Sequence, residues 1–248
     1  MAFEPTHDDF GVPATPVSEE TLAKLKNVSV TTITGVLARL GISNCYMRDV
    51  PPRTTNRNFA GTAMTLRFVP TREDMVESSR GRESLHRKSF LTVGKNQVLV
   101  FDARGEQGTG NLGDIFAAQI KANGGVALVT DGATRDIPEM EEVGLPIFAR
   151  GVSGNAVGTH HLPVAHNVPI QCGGVLVMPG DVLVGSEIGV VVIPSALAEQ
   201  VAQQGADTDL RDMFSREMVL SGKYTVEQAF PLKPELNAEY EEWKKTHA

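Results

Sequence analysis

Apolar residues fall at helical spacing near the start of the chain. Ser18 is placed as an N-cap, Glu19 and Glu20 suit the first turn, and Leu22 and Leu25 share a face, so a short helix is expected to end near Asn27. A second follows Ser29, with Val30, Ile33, Leu37 and Leu40 in register and Gly41 at its end. Thr31, Thr32 and Thr34 are poor helix formers, so packing must hold that helix. The polar run 43–58, with Pro51-Pro52, reads as a surface loop. From Phe59 the period changes to two: Ala63, Thr65, Arg67 and Val69 alternate with Met64, Leu66 and Phe68 in a strand closed by Pro70.

Beyond a charged loop or weak helix at 71–82, helices and buried strands alternate. A helix is expected at 84–92, a strand at 97–102 that delivers Asp102, a glycine-rich turn, a helix from Asp114 to about Asn123 and a strand at 126–130. DGATRD then reads as a loop, and a short helix at 137–143 tolerates Pro138 in its first turn before Gly144. LPIFAR starts another strand. After Arg150 the pattern turns to strands in series, at 168–171, 175–178, 182–184 and 190–193, with SGNAVGTHHLP as a flexible stretch before them. A helix at 196–204 and an amphipathic tail close the chain. The expected division is an arm at 1–17, a mixed α/β domain with one core at 18–206 and a helical tail at 207–248.

Composition sets bounds on this picture. With 248 residues, 41% of them hydrophobic and 21% charged, the chain can bury a substantial core. A net charge of −7 with scattered Lys and Arg argues against nucleic-acid binding. Cys45 and Cys172 lack metal spacing and read as buried thiols. The N-terminus does not have the form of a signal peptide, and no stretch reaches the roughly 18 apolar residues of a membrane span, so a cytoplasmic location is expected.

Candidate chemistry concentrates between Asp102 and Glu139. Gly113 leads into a helix, so the N–H groups of Asp114, Ile115 and Phe116 lack intrahelical acceptors and can hold a carboxylate or phosphate, although most such turns bind nothing. Arg135 and Asp136 follow a buried strand, where open α/β folds place ligands. Arg135 offers a planar fork to a carboxylate or enolate oxygen; a surface ion pair is the plainer alternative. Asp102, Asp114, Asp131, Asp136 and Glu139 gather in this region without a matching His or Cys set, which suits Mg²⁺ or Mn²⁺ rather than zinc. Asp131, before Gly132, reads as a turn residue.

The pattern GD-x(9)-GG-x(5)-DGATRD-x(2)-E, with the later FARGVS, VPIQCGG, PGD and GVVVIP, resembles the family named for the regulator of ribonuclease E activity A, which includes the 4-hydroxy-4-methyl-2-oxoglutarate aldolases. The likeness spans roughly residues 28 to 195. It implies one α/β domain, an αββα sandwich of mixed sheets of the swivelling β/β/α type. It also implies homotrimers or homohexamers with an inter-subunit site, and metal-dependent (class II) cleavage of a 4-hydroxy-2-oxo acid to pyruvate with oxaloacetate decarboxylation as a side activity. By the same resemblance Arg135 stabilises the enolate, Asp136 ligates the metal, Glu139 joins through water, and Gly113, Asp114, Ile115 and Phe116 grip the pyruvate carboxylate. Two departures, Gly35 before Val36-Leu37 and the sparse Gly185-Ser186-Glu187-Ile188, leave the other half of the substrate undefined.

The base is also open, between His160, His161 and a metal-bound water held by Asp114 or Glu139. Lys121 has no evident apolar pocket for Schiff-base chemistry. A non-catalytic regulator that binds a nuclease is the alternative. A methyltransferase is set aside because GEQGTG lacks the βαβ setting of a nucleotide fingerprint.

Overall fold

A computed structural model describes residues 15–75, 84–156 and 160–247. The first 14 residues of the expected arm, most of the charged loop after Met75 and part of the histidine-bearing stretch fall outside them. Helix α1, Glu19–Asn27, is capped by Ser18, whose Oγ accepts from the Thr21 N–H at 3.0 Å. In α2, Val30–Arg39, Ser29 serves in the same way, accepting from Thr32 N–H at 3.1 Å. Its buried Val30, Ile33, Val36 and Leu37 supply the packing that its threonines require.

Strand β1 is Phe59–Pro70 and is followed by α3, Leu85–Thr92, and β2, Gln97–Asp102. Next come α4, Asp114–Ala122, β3, Ala127–Thr134, α5, Ile137–Val143, and β4, Ile147–Val152. The all-strand region holds β5, His161–His166, β6, Ile170–Cys172, β7, Val175–Val177, β8, Val182–Ser186, and β9, Gly189–Ile193. Helices α6, Ala198–Leu220, α7, Val226–Ala229, and α8, Asn237–His247, complete the described chain.

Seven strands form one mixed sheet in the order β4-β3-β2-β1-β8-β9, with β5 paired to β1. Strands β1 to β4 run parallel; β5 and β8 share the other edge of β1 as antiparallel partners, and β9 returns beside β8. One face is covered by helices in two groups. Over β8–β9, α1, α2 and α6 bury Leu25, Ile33, Leu37 and Val201 against Val184 and Val191. Over β2–β4, Phe90, Ala117, Ile120 and Met140 from α3, α4 and α5 meet Leu99, Phe101, Leu128 and Ile147. The opposite face carries the β6–β7 hairpin, with Ile170, Cys172 and Val177 packed on Val98, Val100, Val129 and Leu183. The layers are therefore β/β/α, and each fully buried Leu, Ile or Phe contributes about 1.5–3 kcal/mol.

Several segments depart from the sequence reading. Residues 43–58 are not simply a surface loop: Cys45, Met47 and Val50 are buried, and Tyr46 and Pro52 make bridges to Val191 and Phe148. Strand β3 continues through Thr134 with a register shift between Thr130 and Ala133, so DGAT is strand and only Arg135-Asp136 remain as the connection. The histidine-bearing stretch supplies β5. Helix α6 runs 23 residues without a break across the point where the expected helix ended. Its second half joins α8 in a separate cluster of Phe214, Met218 and Tyr240 with Trp243, whose Nε1 donates to Glu217 Oε2 at 2.8 Å. Both cysteines are buried and free, as expected.

Candidate active site

Two strand-to-helix connections on the helical side of the sheet meet at the C-terminal ends of β2 and β3. The first, from β2 to α4, is stitched to the end of β3. Asn111 N–H donates to Ala133 O at 2.8 Å, Arg135 N–H to Leu112 O at 3.2 Å, and Thr134 Oγ1 to Leu112 O at 2.9 Å. Gly110 N–H donates to Asn155 O at 2.9 Å, which ties the turn to the loop after β4. The second connection is two residues long and presents Arg135 and Asp136.

Glycine is needed twice in this turn because the two connections touch. A Cβ at Gly110 would lie 2.9 Å from both Arg135 Cβ and Ser153 O. At Gly113 it would lie 2.4 Å from Asp136 Oδ2. The Asp136 carboxylate thus sits directly against the N-terminus of α4. No side chain caps that nine-residue helix, so its first-turn N–H groups remain available to an acceptor. Arg135 Nε lies 3.1 and 3.0 Å from the two Asp136 carboxylate oxygens, and both side chains are partly buried. Asp136 also has φ 55° and ψ 42°, a left-handed backbone that costs a non-glycine residue free energy and often accompanies a functional position.

A cavity of about 280 Å³ opens here, with Arg135, Asp136 and Asp114 on one side and His86, Leu112 and Phe116 on another. It lies just below the roughly 300–1,000 Å³ of sites for drug-sized ligands, a size suited to a small acid. Gly113, Asp114, Ile115 and Phe116 all line it. Glu139 does not; it is exposed in the first turn of α5.

The expected gathering of five acids is divided by the sheet. Asp131 is no turn residue: it is 2% exposed, accepts from Ala103 N–H at 2.7 Å and from Gln171 Nε2 at 2.6 Å, and so faces the hairpin. Burial raises its carboxyl pKa, partly offset by those donors. Asp102 shares Gln171 at 3.3 Å. Only Asp114 and Asp136 of the five line the cavity.

The candidate bases are placed elsewhere too. His161 is 1% exposed, with Nδ1 3.5 Å from Arg104 Nη2, and burial and then Arg104 hold its pKa down to about 4. Neither it nor His160 lines the cavity. Lys121 donates to Val143 O near the far end of α4. A Cβ added at Gly35 would meet Arg39 Nη1 at 3.9 Å, and Glu187 pairs with Arg57 at 3.7 Å; neither Gly35 nor Glu187 lines the cavity.

Sequence reasoning missed His86 among the lining residues, along with Asn111, Leu112 and Ala156. His86 lies on the buried face of α3, with Nε2 2.7 Å from Asn111 O. Burial lowers its pKa to about 4 despite that carbonyl. An isolated histidine between basic residues offered no signal beyond its position in a weak amphipathic helix.

Among the described residues no group of three or more His, Cys, Asp or Glu side chains could hold a metal ion. Mg²⁺ does not need such a group, since one carboxylate with waters and a ligand's oxygens can complete its shell. The Asp136 carboxylate, which shares a largely apolar cavity with Asp114, fits a hard cation in that manner.

Fold and cavity define a mixed α/β protein with a small cavity at the ends of parallel strands, lined by the N-terminus of a helix without a side-chain cap. Residues 23–192 match the RraA-like family described as Aldolase/RraA, and the chain belongs to that family. A Halalkalibacterium halodurans protein named "Putative 4-hydroxy-4-methyl-2-oxoglutarate aldolase" is 29% identical over 207 residues, covering 81% of this chain and 90% of its own. The crystal structure of Streptomyces coelicolor RraAS2, described as an unusual member of the RNase ES inhibitor RraA protein family, superposes with a TM-score of 0.74 at 33% identity, covering 82% of this chain and 99% of that one. An uncharacterized protein from Pseudomonas syringae pv. tomato gives a TM-score of 0.76 at 25% identity, over 88% and 97% of the two chains. No helix among the described residues is long and apolar enough to cross a membrane.

Proposed function

We propose that this protein is a divalent-metal-dependent carbon–carbon lyase acting on a 2-oxo acid with a pyruvyl end, such as 4-hydroxy-4-methyl-2-oxoglutarate, and that it also decarboxylates oxaloacetate. The observation that supports the reading is the close approach of the Asp136 carboxylate to Gly113, which brings a carboxylate and an uncapped helix turn to one small cavity. The amides of Asp114, Ile115 and Phe116 bind the substrate carboxylate. Arg135, oriented by Asp136, offers its remaining N–H groups to the oxygen on which enolate charge develops. Asp136 would hold Mg²⁺ or Mn²⁺, with Glu139, exposed in the first turn of α5, as an outer partner. The bound cation supplies Lewis-acid polarisation of the keto group. Decarboxylation needs no base, and retro-aldol cleavage needs one for the 4-hydroxyl proton.

In this reading a neighbouring subunit completes the site in a homotrimer or homohexamer and would cover Ile115, which is 75% exposed at the cavity. Residues that select the leaving half would then come from a neighbouring chain, with the segments around Gly35 and Glu187, outside the cavity lining of their own chain, as candidates.

The second reading is a non-catalytic, RraA-type regulator of a ribonuclease. The description of the S. coelicolor neighbour and the exposed Glu139 outside the cavity favour it. Pyruvate release from 4-hydroxy-4-methyl-2-oxoglutarate and from oxaloacetate, measured with Mg²⁺ and with EDTA, separates the two. Metal-dependent release supports the lyase; no release from either substrate sinks it. Asp136→Ala should abolish release and leave the fold intact, whereas full activity in that variant would place the metal elsewhere.

A further inference from the structure

Helix α3 meets the candidate site at two points one helical turn apart. His86 and Phe90 are spaced i, i+4 and so share a face. Phe90 stacks on Phe116, the third residue of the anion-accepting turn, with ring centroids 4.2 Å apart and an interplanar angle of 26°. His86 Nε2 reaches the Asn111 carbonyl inside the glycine turn at 2.7 Å.

A carbonyl oxygen only accepts, so Nε2 carries the hydrogen and His86 is a donor there. The ring is 8% exposed and makes edge or tilted contacts with Phe68, Phe90, Phe101 and Phe116. In those surroundings an aromatic hydrocarbon would pack without a polar atom to satisfy, so the imidazole's distinctive contribution is its hydrogen bond. Other anchors of the turn come from other directions: Thr130, whose Oγ1 accepts from the Asn111 side-chain amide at 3.2 Å, Ala133, Thr134 and Arg135 in and after β3, and Asn155 beyond β4. The His86 bond holds the peptide after Asn111 from the α3 side, two residues before the amides that face the cavity.

We propose that His86 is a positioning residue of this site: its Nε2–H fixes the Asn111 carbonyl and, through the Leu112-Gly113 backbone, the direction of the Asp114–Phe116 amides. The part that concerns a carboxylate ligand rests on the 2-oxo-acid reading above; the part that concerns the turn does not.

The test uses the full chain with His86→Phe, which keeps an aromatic ring and removes the donor, and His86→Gln, whose amide nitrogen can take the place of Nε2. Amide hydrogen exchange at 112–116 and pyruvate affinity in the presence of Mg²⁺ are both measured. In His86→Phe, exchange at these amides should quicken about tenfold and pyruvate bind about tenfold more weakly, with the melting temperature lowered by only a few degrees for the Asn111 carbonyl left buried without its donor. His86→Gln should recover to within about threefold of the parent on both.

Unchanged exchange in His86→Phe, or a His86→Gln variant no better than it, overturns the proposal. If the parent binds no pyruvate while His86→Phe still loosens the turn, His86 keeps its role and the 2-oxo-acid reading falls. Should His86→Phe fail to fold, nitrogen NMR of labelled histidine in the parent decides: hydrogen on Nδ1 rather than Nε2 refutes the donor assignment, and hydrogen on Nε2 with recovery in His86→Gln upholds it.

Discussion

Gly113 carries more of the site than its lack of a side chain suggests. A methyl group there must displace the Asp136 carboxylate, since the two would stand 2.4 Å apart. Gly113→Ala is therefore expected to cut metal-dependent pyruvate release about 100-fold, because shifts near 1 Å in reacting groups have effects of that size. Its unfolding midpoint in urea should hardly move; retained activity would show that Asp136 need not occupy its present position. Arg135→Lys keeps the charge but loses the planar fork, so turnover should fall well below the parent while the fold persists.

Protonation is a second property of single residues. His86 and His161 have folded-state pKa values near 4 against 6.5 for an unperturbed imidazole. Between those values the unfolded chain binds protons that the folded chain refuses. Stability from these rings is thus complete above pH 6.5, declines as the pH falls, and is exhausted near pH 4. The loss is on the order of 3 kcal/mol per ring at the low end. Urea titrations between pH 7 and 4.5 should show it, and His161→Phe should flatten part of the slope; an unchanged slope would mean that His161 is not buried neutral.

At the scale of elements, the caps were the most readable feature. Ser18 and Ser29 start their helices by local hydrogen bonds that depend on few other residues. Strands buried on both faces, such as β2, were equally plain from their apolar runs. What stayed hidden depends on contacts distant in sequence. Strand β5 contains Pro163 and two histidines and becomes a strand by pairing with the far half of β1. Asp131 looks like a turn residue until Gln171, forty positions later, takes its carboxylate into the sheet. The Arg135-Asp136 motif was legible, but the role of Glu139 was carried by resemblance alone, and the His86 contact links two segments with no common pattern.

Asp209 gives a further test at this scale. Its carboxylate on α6 accepts from Ser29 N–H at 2.8 Å and from the Thr32 hydroxyl, reinforcing the start of α2 from 180 residues away. Asp209→Ala should cost about 1–2 kcal/mol in chemical denaturation, as loss of a helix cap does. No change would show that Ser29 suffices by itself.

Across the whole molecule, the hydrophobic interior is not one continuous mass. Three clusters pack on the large sheet, while Phe214, Met218 and Tyr240 form a fourth with Trp243 at the C-terminal end, beyond residues 23–192 of the family match. A small cluster has less apolar area holding it and should open first. Trp243 is the only tryptophan in the chain. Its fluorescence should therefore change at a lower urea concentration than far-ultraviolet circular dichroism; coincident transitions would show that the C-terminal helices unfold with the sheet. Because neither tryptophan nor tyrosine lines the candidate cavity, intrinsic emission is a poor optical witness of the site. Ligand binding there will need a calorimetric or magnetic-resonance signal, or a tryptophan introduced beside Phe116, before an unchanged spectrum can be taken as an empty pocket.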